Sequence, residues 1–300
     1  MLIKTIGELQ KYTTVFKSND FGAFEIFVRD AQEKYIEPYF GYELLKVLEK
    51  KSDDELTVRI CRALGPFALA LSTDEFSIGF GEAGHTVTRT DSLAPASDAK
   101  IEKARESLFE RAWQNLDRAI QYVFKNADEY PEWKSSDFAN KTATLLFRNA
   151  DDFQENGLVH IDNSPLTFNH FRLLILRIEK SETLLFLPEK LRKDIAELPE
   201  EILQPMQAYT GSRVAALHTS QSTHANRAQP GEGDNATEFK PMLRPLYSNS
   251  ESSGNYFEEQ AAFWKATLMQ VLIDKEYIDA NVQALQFNNA TNKVFVANAT

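Results

Sequence analysis

Apolar residues recur along this chain at three- and four-residue steps in several separate stretches, the spacing that places them on one face of a helix. The longest stripe is Ile101, Ala104, Leu108, Ala112, Leu116, Ala119, Ile120 and Val123, with Glu102, Arg105, Glu106, Glu110 and Arg118 on the other face. It predicts an amphipathic helix over 98–124, with Pro95 blocking an earlier start and Ser97 placed as N-cap. Upstream, Phe24, Phe27, Val28, Ala31 and Tyr35 form a second stripe that Pro38 is expected to end, and Gly41 permits a turn into a helix over 42–51. Ser52-Asp-Asp-Glu55 reads as a capping box opening a helix through Leu56, Ile60, Leu64, Phe67 and Leu71, kinked at Pro66. The apolar positions Leu2, Ile6, Leu9 and Val15 fit a short helix or a strand.

Ahead of the longest helix the period changes. From Phe76 to Asp91 the chain alternates β-branched residues around glycines, which predicts a β-hairpin at 76–91 projecting from a helical body. Gly79-Phe-Gly81-Glu-Ala-Gly84 spells G-x-G-x-x-G, but a dinucleotide site needs a helix directly after it, and here His85 to Thr90 continues in extended alternation. No kinase lysine strand, HRD or DFG follows either. The glycines therefore read as the turn of the hairpin.

The second half runs through a similar order. Ser164-Pro165 is an N-cap and first-turn pair opening a helix along Phe168, Phe171, Leu174, Ile175 and Ile178, and Pro188 follows as Pro38 does. A short helix is expected over 189–198. Residues 205–254 hold many Pro, Ser, Asn and Gly with little apolar periodicity, which predicts a long polar loop in the place of the hairpin. Asn255-Tyr-Phe-Glu258 then opens a helix through Phe263, Trp264, Leu268, Val271 and Leu272, and Asn288 to Phe295 echoes Asn140 to Phe147. The reading is a mainly α-helical chain of two similar halves, 1–150 and 151–300, by duplication or by chance likeness of amphipathic helices.

With 300 residues, 43% of them hydrophobic, the chain can bury one large core or two modest ones. A net charge of -11 argues against broad attraction to nucleic acid and leaves room only for local basic patches. The single cysteine, Cys61, excludes an intramolecular disulfide and lies in an apolar setting that predicts an inert core residue. No apolar run reaches the length of a membrane span, and the N-terminus lacks an apolar leader, so a soluble protein made in the cytoplasm and without membrane contact is expected.

Candidate chemistry is sparse. His85, His160, His170, His218 and His224 show no metal-ligand spacing, and His218 and His224 fall in the expected polar loop. The acid pairs Asp53-Asp54 and Asp151-Asp152 stand where helices begin, where carboxylates serve the helix dipole. Trp113, Trp133 and Trp264 read as core anchors. No catalytic residue, cofactor or metal ligand is therefore assigned.

Two stretches carry a resemblance. Asp20-Phe-Gly-Ala-Phe24 through Tyr35-Ile-Glu-Pro-Tyr-Phe-Gly41-Tyr-Glu-Leu-Leu45, and the hairpin passing into Ser92-Leu-Ala-Pro-Ala-Ser97, resemble a family of uncharacterised proteins from prophage regions of gut bacteria. The layout, helices with a β-hairpin before the longest one, is also similar to the small helical head-to-tail adaptors of tailed bacteriophages, from which this chain departs in its length and doubled pattern. The resemblance implies a structural virion protein of the neck, or connector, that oligomerises into a ring at the portal and meets tail or other neck proteins. DNA would pass the channel without specific binding, and a negative wall would let it slide. The hairpin edge, Thr86, Val87, Thr88, Arg89 and Thr90, is the expected contact between copies, and the tail Lys293, Val294, Phe295 and Val296 the expected docking strand for a partner. The alternative is a soluble enzyme with an acidic pocket between the halves, using Asp151, Asp152 or His85 as acid or base.

Overall fold

Helices carry most of the backbone in the computed structural model, which describes residues 1–14, 20–77, 79–81, 84–86, 97–141, 143–225, 238–245 and 254–279. The chain divides into two units: one is residues 1–142 with 164–166 and 231–240, the other 143–163, 167–230 and 241–300. The division falls after Thr142 rather than at 150.

In the first unit, α1 (Ile6–Leu9) is held by a capping box between Thr5 and Glu8. α2 (Phe21–Ala31) starts at Asp20, whose side chain accepts from Gly22 N–H at 3.1 Å. Pro38 does not end this helix. It has no N–H to give to the carbonyl of Lys34, and the chain absorbs the mismatch in a π turn, Gln32–Ile36, where Glu37 N–H reaches back to Gln32. Helix then continues as α3 (Glu37–Phe40) until Gly41, at φ 77°, turns it into α4 (Tyr42–Leu48).

α5 (Glu55–Ser77) is capped by Asp54, which accepts from Leu56 N–H at 2.9 Å, so the expected Ser52–Glu55 box is replaced by a cap two residues on. α5 packs along α6 (Asp98–Lys125), and α2 lies on α5. Their shared core has Tyr35 stacked on Phe67, ring centroids 4.4 Å apart, with Phe109 and Trp113 edge-on around them. Each such ring contributes about 1.5–3 kcal/mol of burial. α7 (Pro131–Lys134) and α8 (Asp137–Asn140) close the unit, and Trp133 donates its indole N–H to Tyr39 O at 3.0 Å.

Between the long helices, β1 (Gly79–Gly81) pairs antiparallel with β2 (Gly84–Thr86), with Phe80 opposite His85. α5 runs on to Ser77, so the extended segment begins later than the expected 76. Residues 78, 82–83 and 87–91 of that hairpin lie outside the described residues.

In the second unit, α9 (Ala150–Asn156) leads to β3 (Val159–His160) and α10 (Pro165–Ser181). The expected helix over 189–198 is instead two 3-10 turns, Glu189–Leu191 and Ile195–Glu197. The larger correction concerns the polar loop at 205–254. α11 (Glu200–Ala225) occupies its first part, with Pro205 in the first turns, and α12 (Gly254–Asp274) begins at its end. Polar side chains mask this helix in the sequence pattern. Gln207, Thr210 and Ser212 are buried beside Met206, Ala208, Tyr209, Val214 and Ala215, so no apolar stripe stands out. Their groups are satisfied locally: Thr210 and Ser212 donate to the carbonyls four residues back at 2.9 and 2.8 Å. Beyond α11, β4 (Arg244–Pro245) pairs antiparallel with β3, an element the sequence pattern did not announce.

In each unit a helix, α2 or α10, precedes a long pair, α5 with α6 or α11 with α12, whose first member contains a proline, Pro66 or Pro205, but the connection differs: the helices α3 and α4 in the first unit, 3-10 turns in the second.

Candidate functional site

The first unit carries an open cleft of about 440 Å³ where the segment after α1 passes over α5 and α6. Gly65 sets the approach. A Cβ there would stand 3.0 Å from Tyr12 Cβ and 3.1 Å from Thr13 Cγ2, so a larger residue would push this segment off the helix. One wall is Lys11 and Tyr12, the second Val58 and Arg62 on α5, the third Arg111 and Asn115 on successive turns of α6, with Ser52 and Asp53 at the rim.

Pro66 organises the middle of this site. Lacking an N–H, it leaves the Arg62 carbonyl without its helical partner, and Asn115 Nδ2 donates to that oxygen at 3.1 Å from α6. Lys11, Arg62 and Arg111 are all exposed, and among the described residues none of them stands in an ion pair. Asp53 is the one carboxylate among the described lining residues. Burial pushes the Tyr12 phenol up from its ordinary pKa, with Cys61 and Glu8 adding to the effect and Arg62 opposing it, so the hydroxyl stays protonated at neutral pH as a donor. Chemically, the cleft is an electropositive, donor-lined recess in a chain of net charge -11.

The ionisable groups of the second unit act as braces. Glu179, fully buried on α10, accepts from Thr144 Oγ1 at 2.7 Å and from the N–H groups of Leu145 and Leu146 at 3.1 and 3.0 Å. Burial raises its pKa against the pull of those donors. Gln207 Nε2 completes the hold by donating to Leu146 O at 2.8 Å. One turn beyond Glu179, Glu182 accepts from Tyr209 at 2.6 Å and from Arg213 Nε at 3.0 Å, and Arg213 also reaches Glu258 on α12 at 3.1 Å. Burial opposes ionisation of Glu182, yet Arg213 and Tyr209 outweigh it and hold the carboxyl below its usual range.

Of the residues singled out from the sequence, Thr86 ends β2, while Val87, Thr88, Arg89, Thr90, Lys293, Val294, Phe295 and Val296 lie outside the described residues. Asp151 and Asp152 sit in the first turn of α9, capped by Asn149. Asp152 is buried and bonded to Arg148 N at 2.8 Å, and Asp151 is exposed. His85 belongs to the other unit. His218 is not in a loop: it sits on α11 with its ring 4.9 Å from that of Phe171, and His224 is also within the helix. No sequence pattern marks the cleft, because Lys11, Arg62 and Arg111 are far apart along the chain. Its only local signal is the four-residue step from Arg111 to Asn115, opposite a Gly65-Pro66 pair.

Residues 27–143 match a family described as a family of unknown function (DUF6712). The match begins within α2 and stops at the first residue of the second unit, taking in every cleft residue except Lys11 and Tyr12. No curated protein and no solved structure matches the chain. No described helix is long and apolar enough to cross a membrane.

Proposed function

We propose that this chain is a non-catalytic structural protein of a phage neck, a head-to-tail adaptor that assembles into a ring at the portal. The observation that carries the reading is the position of the β1–β2 pair immediately before α6, at 28 residues the longest described helix, which is the layout on which the resemblance to adaptors rests. The order of a helix and then a long pair, common to the two units, supports a duplicated adaptor, in which each chain fills two positions of the ring. A ring matched to the portal then needs half as many chains as the portal has subunits. In this reading the chain works by shape and self-association, in the virion, with the portal and neighbouring neck or tail proteins as partners.

Native mass spectrometry of the full chain, alone and with the portal protein expressed from the same viral genome, tests this. A closed oligomer with half the portal's copy number is expected. A chain that stays monomeric and does not bind the portal would overturn the reading.

A further inference from the structure

We propose that the cleft of the first unit is a binding site for a small phosphate-bearing ligand, held by Lys11, Arg62 and Arg111. The proposal is independent of the neck reading.

Three cationic side chains converge on one recess without an ion-pair partner among the described residues, in a chain whose acids outnumber its bases, 44 Asp and Glu against 33 Lys and Arg. Held together, like charges repel, and an anion in the recess relieves that repulsion. Two of the three are arginines, whose planar forks give paired hydrogen bonds to phosphate oxygens, while lysine adds a point charge. The Tyr12 hydroxyl is a neutral donor, and Tyr12 with Val58 supplies an apolar wall against which a ring or carbon chain can lie. At about 440 Å³ the recess falls in the range of roughly 300–1,000 Å³ usual for small-molecule sites.

The balance of charge favours a small ligand over a nucleic acid. Duplex DNA carries one charge about every 1.7 Å. Most of these would face the acidic remainder of the surface, whereas a short ligand keeps all of its charge within about 8 Å, one Debye length, of the three cations. Asp53 at the rim works against a bare anion and offers an acceptor to a ligand hydroxyl.

The test is calorimetric titration of the full chain with sodium pyrophosphate and with ADP, set beside a 20-base-pair duplex and a polyglutamate peptide. Saturable binding of pyrophosphate or ADP is expected, weakened about tenfold or more by Arg62→Gln and by Arg111→Gln. Asp53→Asn should tighten pyrophosphate binding a few-fold, a change of opposite sign that damage to the fold cannot imitate. Circular dichroism should show unchanged helix content in all three variants. The proposal is overturned if neither small phosphate binds saturably, if both arginine variants bind as the parent does, or if the duplex or the peptide binds more tightly than pyrophosphate and ADP.

Discussion

Gly157, at the end of α9, and Gly211, in the middle of α11, bring two backbones into direct contact: a Cβ built on Gly211 would lie 2.7 Å from Gly157 Cα. The obstacle is backbone, which cannot swing aside as a side chain would. Gly211→Ala should therefore destabilise the second unit by about 3 kcal/mol, the upper end of ordinary overpacking, seen as a lower urea midpoint. Gly7, on α1, has nothing among the described residues within 4 Å of its Cβ position. Gly7→Ala should leave stability unchanged or raise it by up to about 1 kcal/mol, because alanine is the better helix former. Equal losses from the two substitutions would refute this account of Gly211.

The hydroxyl of Tyr35 is buried and has no hydrogen-bond partner among the described residues, although its ring stacks on Phe67. Tyr35→Phe removes the orphaned group and keeps the ring, so stability should hold or rise by about 1 kcal/mol. Phe67→Ala, which removes the stacked partner, should cost about 3–5 kcal/mol. Thermal melts of the two variants decide, and a large loss in Tyr35→Phe would mean that the hydroxyl has a partner in solution.

Glu182 links stability to acid. Its carboxyl is held below the ordinary value of 4.5, the hydrogen bonds from Arg213 and Tyr209 outweighing burial. The folded state thus binds that proton less readily than the unfolded chain, and the stabilisation is present above 4.5 and lost as pH falls through the lower folded value. Glu179 runs the other way, since burial raises its pKa. The readout is therefore the difference between the parent and Glu182→Gln in denaturant unfolding from pH 7 to pH 3. That difference should shrink with acid, and a constant difference would exclude the linkage.

Cys61 is buried on α5, and burial pushes its thiol up to about 12. At pH 8 the native protein should not react with a disulfide-exchange reagent over hours, and reaction should appear with the unfolding transition. Rapid labelling of the folded chain would show that α5 opens locally.

The parts of this fold that were legible share a feature: their polar residues stay on the solvent side. Ile101 to Val123 could be read as α6 because Glu102, Arg105 and Glu106 keep to the opposite face. α11 could not be read, because Gln207, Thr210 and Ser212 point inward and bond within the unit, so burial there has no apolar signature. Pro38 has the sequence signature of a helix end, but the π turn ahead of it accommodates the missing donor, and Gly41 stops the helix. The cleft belongs to a third kind. Lys11, Arg62 and Arg111 look like ordinary surface charges until the fold gathers them, and no spacing rule reaches across such separations.

The bond from Asn115 to the Arg62 carbonyl acts as a key between α5 and α6. Pro66 leaves one open acceptor on the face of α5, and Asn115 on α6 supplies the donor that fits it. Sliding either helix by a turn would leave that oxygen bare, so the pair has one preferred axial alignment. Arg111 lies one turn from Asn115 on the same face, and Arg62 carries the keyed carbonyl itself. A residue usually regarded as a helix breaker thus indexes the positions of two cations, whose placement is set when the helices dock and before any anion arrives.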